Sequence, residues 1–71
     1  MLRERIKQLR VRKGYTQNFV AQYLFIKQNT YSDYERGVSV MSIDTLIKLA
    51  DLYNVSVDYL LGRTNNKSLT K

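Results

Sequence analysis

The amino-acid sequence predicts an all-α fold, a compact bundle of five short helices. Three observations carry the prediction. Apolar residues recur at helical spacing in five separate segments, few stretches show the alternation of a strand, and Thr, Ser and Gly fall where helices should begin and end. The chain has 71 residues, no Pro and three Gly, enough for one domain with one modest core.

The first segment, residues 2–13, places Leu2, Ile6 and Leu9 on one helical face, and Gly14 stands where a left-handed residue would end the helix. Thr16 is a suitable N-cap for a second helix over 17–24, with Val20, Ala21 and Leu24 apolar. A third segment, 28–36, carries Tyr31 and Tyr34 on one side and stops before Gly37. Ser42 caps a fourth, in which Ile43, Leu46, Ile47, Ala50 and Tyr53 follow the i, i+3, i+4, i+7 rule and Leu49 widens the stripe. Ser56 caps a fifth over 57–61, where Val57, Leu60 and Leu61 are apolar, and Gly62 closes it. Residues 63–71 are polar and aperiodic and read as a flexible, frayed tail or the start of a linker. The expected division is therefore a helical domain over 1–62 followed by that tail.

Composition narrows the function. There is no Cys and no His, which excludes disulfides, thiolate metal sites, haem ligation and histidine-based acid–base catalysis. The six acidic residues are scattered, with no carboxylate pair and no glycine-rich phosphate loop, so an enzyme is not expected, nor a metal or cofactor. No signal-like stretch opens the chain and no apolar run approaches a membrane span, so the expectation is a cytoplasmic protein without a membrane partner. The net charge is +6, and Arg3, Arg5, Lys7, Arg10, Arg12 and Lys13 fall within the first thirteen residues against Glu4 alone. Such a balance suits an anionic partner, nucleic acid first and an acidic membrane surface second.

The segment from Thr16 to Gly37, TQNFVAQYLFIKQNTYSDYERG, carries the functional reading. Two short helices with about three residues between them must cross sharply. Small Ala21 lies where the second helix has to approach closely, and Val20, Leu24, Ile26, Tyr31 and Tyr34 supply a shared apolar face. The third helix then presents Gln28, Asn29, Ser32, Asp33 and Arg36 outward. Gln and Asn can pair with adenine N6 and N7 in a major groove that an exposed helix can enter.

At these residues the chain resembles the Cro and phage-repressor type of helix-turn-helix regulators, also called the xenobiotic-response-element family. The resemblance spans about residues 3–61 and rests on IKQLRVRKG (6–14), Thr16-Gln17, Val20-Ala21 with Leu24, Tyr34-Glu35-Arg36-Gly37, SIDTLIKLA (42–50) and NVSVDYLL (54–61). It implies a lambda-repressor-like fold that binds double-stranded DNA. By resemblance the recognition helix opens near Lys27, with Gln28 and Asn29 at base edges and Ser32 and Asp33 further along. Gln17 is implied as a phosphate ligand at the N-terminus of the preceding helix, where free N–H groups and the dipole suit an anion. Arg36, Ser39 and the backbone up to Ser42 are implied to grip the next phosphates. The resemblance also pairs Arg10 with Glu35, a structural salt bridge that leaves Arg10 one further use, a phosphate contact through a spare donor.

Two residues depart from the family pattern, and a third, the acid Asp33, would repel phosphate. Phe25 stands where the family has a turn Gly with positive φ, which implies local strain or a locally different turn, and an exposed ring free for another contact. Lys27 replaces a Ser or Thr cap and cannot accept from helix N–H groups, although it can reach a phosphate. Asp33 either accepts from cytosine N4 or neutralises Lys27 or Arg36. The Tyr residues are read mainly as core, with base stacking as the competing role.

Two functions remain to be separated. One is a transcriptional repressor bound as a homodimer to an inverted-repeat operator, pairing through the C-terminal part, where the apolar residues Val55, Val57, Tyr59, Leu60 and Leu61 crowd and some must be core. The other is a protein-interaction module of the same fold, such as an antitoxin or a coactivator-like domain, anchored by Phe25 and the Tyr residues. No small-molecule ligand is expected, because a chain of this length has no room for a ligand domain.

Overall fold

The computed structural model describes residues 2–63. Five helices follow in order: α1 (Leu2–Lys13), α2 (Gln17–Tyr23), α3 (Gln28–Arg36), α4 (Ile43–Tyr53) and α5 (Val57–Leu60), with no strand among the described residues. The fold class expected from the sequence is the one observed. Residues 64–71, most of the expected tail, lie outside the described residues.

Helix starts follow from hydroxyl chemistry. Thr16 Oγ1 accepts from the Phe19 N–H at 3.0 Å, Ser42 Oγ from the Thr45 N–H at 3.2 Å and Ser56 Oγ from the Tyr59 N–H at 3.0 Å, each occupying a donor that the first helical turn leaves unpaired. α3 is the exception, since its N-cap is Lys27, which makes no side-chain cap bond.

The helix ends share one device. Each closes with a Schellman motif, in which the residue just past the cap turns left-handed and two N–H groups fold back onto the last carbonyls. The left-handed positions are Gly14, Phe25, Gly37, Asn54 and Gly62. At the end of α2 the Phe25 N–H donates to the Gln22 carbonyl at 3.1 Å and the Ile26 N–H to the Ala21 carbonyl at 3.0 Å. Gly and Asn adopt this conformation at little cost, whereas Phe25, at φ 59°, does not. At Gly37 a second constraint acts, because the Arg3 side chain lies where a Cβ would stand while Arg3 Nη1 donates to the Arg36 carbonyl at 3.2 Å. That contact clips the start of α1 to the end of α3.

One core joins all five helices: Ile6 and Leu9 from α1, Val20 and Ala21 from α2, Tyr31 from α3, Leu46, Leu49, Ala50 and Tyr53 from α4, and Leu60 from α5, with Leu24, Met41 and Val55 from the connections. Ala21 is buried, and α2 packs closely on α3 there. Arg5 lies 4.1 Å over the Tyr59 ring and donates to the Tyr59 carbonyl, fastening α1 to α5.

One sequence expectation needs correction. Ile43 and Ile47 are 62% and 46% exposed, because the buried stripe of α4 is the narrower set Leu46, Leu49, Ala50 and Tyr53. The first two isoleucines lie on its solvent flank. Of the crowded C-terminal residues, some of which had to be core, Val55 and Leu60 are the buried ones.

Phe25 yields a stability prediction. A left-handed residue bearing a Cβ costs about 1–2 kcal/mol, and an exposed cation–π contact, here with Lys48, returns about 0.5–1 kcal/mol. Phe25→Gly should therefore raise stability, by up to about 1 kcal/mol. Thermal unfolding followed by circular dichroism checks this; a lowered midpoint would show that the ring supports the fold.

Candidate nucleic-acid interface

The candidate surface is the outer side of α3 with the turn before it and the loop after it. Gln28, Asn29 and Arg36 are exposed there, and Ser32 and Asp33 are half-buried at the next turn of the same side. The spacing 28, 32, 36 and 29, 33, 36 keeps them on one face, while Tyr31 and Glu35 point into the protein. Lys27 stands exposed at the N-terminal end, with its ammonium free of any cap bond. Arg36 Nη2 lies 2.6 Å from Asp33 Oδ1, so in this structure Asp33 neutralises Arg36 rather than Lys27. Ser39 is exposed in the loop beyond α3, its N–H folded back onto the Asp33 carbonyl.

Arg10 and Gln17 sit elsewhere, behind the exposed face. The Glu35 side chain is only 4% exposed. Its carboxylate accepts from Arg10 Nε at 2.6 Å, from Arg10 Nη2 at 3.2 Å, from the Gln17 amide Nε2 at 3.1 Å and from the Tyr31 hydroxyl at 2.6 Å. Arg10 Nη1 donates to the Tyr15 carbonyl at 3.0 Å, so all three guanidinium nitrogens are engaged. One carboxylate thus ties α1 and the N-terminus of α2 to the inner side of α3. Sequence reasoning missed the Gln17 and Tyr31 bonds. The Tyr31–Glu35 link had a signal in its i, i+4 spacing; the Gln17 link, eighteen residues away along the chain, had none.

The electrostatics of this cluster oppose one another. Burial pushes the Glu35 carboxyl upward, but the hydrogen bonds from Arg10, Tyr31 and Gln17 outweigh it and hold the group below its ordinary value. The Arg10 guanidinium is raised, chiefly by its bonds to Glu35. Burial, then the bond to Glu35, pushes the Tyr31 hydroxyl far up, and burial together with the Glu35 charge pushes the Tyr53 hydroxyl up to about 12. The Tyr53 hydroxyl is buried without a hydrogen-bond partner among the described residues. No group of His, Cys, Asp or Glu able to hold a metal ion occurs among the described residues.

Two helices crossing at a short turn, the second carrying polar side chains outward and braced from within, form a helix-turn-helix unit. The chain belongs to the helix-turn-helix family, whose model matches residues 6–60, and has that family's lambda-repressor-like all-α fold. Among curated proteins it is 50% identical over 62 residues to the HTH-type transcriptional regulator ImmR of Bacillus subtilis (strain 168), covering 87% of this chain and 49% of that protein. It is 40% identical over 65 residues to the SPbeta prophage-derived uncharacterized HTH-type transcriptional regulator YonR of the same organism, covering 92% and 60%. It is 34% identical over 62 residues to the cryptic phage CTXphi transcriptional repressor RstR of Vibrio cholerae, covering 87% and 56%. The chain spans about half the length of these relatives. No solved structure matches it significantly.

The brace sets two expectations. Arg10→Ala would strand a buried carboxylate, a loss of about 3 kcal/mol or more, visible as a large fall in the urea midpoint; an unchanged midpoint would contradict the brace. For pH, the folded Glu35 value lies below its unfolded value of about 4.3. The stability it contributes is therefore complete above that unfolded value and is lost as pH falls through the lower folded value. Urea midpoints compared between pH 7 and pH 3 should fall more steeply for the parent protein than for Glu35→Gln.

Proposed function

We propose that this domain is a sequence-specific DNA-binding unit of a transcriptional regulator of the repressor type, inserting α3 into the major groove of double-stranded DNA. The observation that carries the reading is the pair Gln28 and Asn29, exposed at the N-terminal end of a helix that Glu35 and Tyr31 anchor from the opposite side. Carboxamides in that setting can make paired hydrogen bonds to adenine. Ser32 and Asp33 extend the base-facing row, and Lys27, Arg36 and Ser39 grip phosphates at its two ends. Gln17 contributes the start of α2, where backbone N–H groups remain for a phosphate although its amide nitrogen is held by Glu35. Arg10 serves the brace first and any phosphate second.

The names of the relatives, HTH-type transcriptional regulators and a phage repressor, support this role. Recognition of an inverted repeat by two copies, with α3 helices about 34 Å apart, fits the reading, as does a cytoplasmic, non-catalytic protein comprising a helical domain over 1–62 and a tail. No helix among the described residues is long and apolar enough to cross a membrane. One observation favours a second role in protein contact. Val38, Val40, Ile43 and Ile47 are exposed, with Val40 at 94%.

Selection of sites from random duplex DNA tests the proposal, and a short palindrome is the expected product. Gln28→Ala should cost about 1–3 kcal/mol at the selected site and relax the preference there, whereas Lys27→Ala should weaken all sequences alike. Affinity measured by fluorescence anisotropy should drop steeply as salt rises, as contact with several phosphates requires. Intact discrimination in Gln28→Ala would refute the assignment of α3, and a flat salt response would favour the protein-contact role.

A further inference from the structure

Phe25 combines two properties that stability alone does not explain. It occupies the left-handed position of a helix closure that the chain fills elsewhere with Gly or Asn, and its ring is 88% exposed, so burial returns nothing for the strain. The feature that accompanies it is charge. Lys48 Nζ lies 5.6 Å from the ring centroid, and Lys27 follows two residues later as the N-cap of α3. Neither lysine forms an ion pair among the described residues.

Position adds direction. Ile26, packed against the core, pins the chain between Phe25 and Lys27. Gln28 lies three positions after Phe25, which holds their Cα atoms within about 11 Å. Phe25 therefore stands at the end of α3 that bears Gln28 and Asn29. An exposed ring paired with a lysine ammonium differs from the depleted-charge centre of a protein interface. It matches a nucleotide, with an apolar methyl group on one side and a phosphate on the other.

We propose that Phe25 is a further sequence-reading residue, its ring packing on the C5 methyl of a thymine beside the base pairs met by Gln28 and Asn29, with Lys48 reaching the neighbouring phosphate. Apolar contact with that methyl is one of the ways a major groove distinguishes thymine. The inference rests on the DNA-binding role of α3 and adds a position to its reading frame.

The probe is the duplex that the parent protein selects from random DNA, remade with each thymine replaced in turn by deoxyuridine, which deletes the methyl group alone. The parent protein should lose about fourfold in affinity at one thymine per half-site, the worth of one buried methyl group. Phe25→Gly should bind the thymine and uridine duplexes equally while its thermal midpoint does not fall, which separates lost reading from lost folding. Lys48→Gln should reduce the slope of log affinity against log salt by about one. Identical uridine sensitivity in the parent and Phe25→Gly proteins, or no methyl-sensitive thymine at all, overturns the assignment while leaving the role of α3 standing. So does a Phe25→Gly protein that reads DNA as the parent does but loses self-association, which would make the ring a protein contact. A parent protein that selects no sequence overturns both readings.

Discussion

A carboxylate almost removed from water cannot remain ionised unless its surroundings replace the water, and at Glu35 they do so with donors from three different helices. Arg10 comes from α1, Gln17 from the first turn of α2 and Tyr31 from α3 itself, one turn before the acid. Each donor has an apolar neighbour in the core: Leu9 beside Arg10, Val20 and Ala21 beyond Gln17, and Tyr31 in its own ring. The charge network and the packing therefore specify the same relative placement of α1, α2 and α3. A shift of any one helix would leave a buried charge unpaired as well as a cavity.

That placement is what gives a nine-residue helix the fixed position that the proposed base contacts would need. An isolated helix of this length is marginal in water, and side chains that must meet base edges need a backbone that does not move away. α3 gains its rigidity from Tyr31 and Glu35 on the inner side, from Gly37 held under Arg3 at the C-terminal end and from the tight turn through Ile26 at the other. Its outer side is left without such obligations apart from the Asp33–Arg36 pair. The division of labour explains why Arg10 and Gln17, basic or polar and near the same surface in sequence terms, are turned inward. The buried acid has first claim on their donors. Arg3, Arg5 and Arg10 of α1 are likewise engaged within the fold, by the Arg36 carbonyl, by Tyr59 and by Glu35.

The helices themselves were legible, because their signals are local. Hydroxyl caps at Thr16, Ser42 and Ser56, left-handed positions at Gly14, Gly37 and Gly62, and apolar spacing in each segment are decided within a few residues, and the observed boundaries differ by no more than one residue. The exposed polar row of α3 was legible for the same reason. The faces of α4 were less so. Ile43 and Ile47 satisfy the helical rule as well as Leu46 and Ala50 do, and only the packing of the rest of the core, α5 included, determines which edge of the stripe is covered. The inner use of Gln17 was invisible, since it depends on an acid that is distant along the chain.

The sequence by itself determined that five amphipathic segments would become helices, that two of them would cross at a turn bearing an unfavourable Phe25, and that Gln28 and Asn29 would share a side. These follow from backbone sterics, capping chemistry and the 3.6-residue period, all of which act over one or two turns. Only the tertiary structure decided which donors Glu35 would take, which of the apolar residues of α4 and α5 would be covered, and that the Phe25 ring would meet Lys48 rather than the core. Burial and charge pairing join residues that are remote along the chain, and they are settled by how the helices come together.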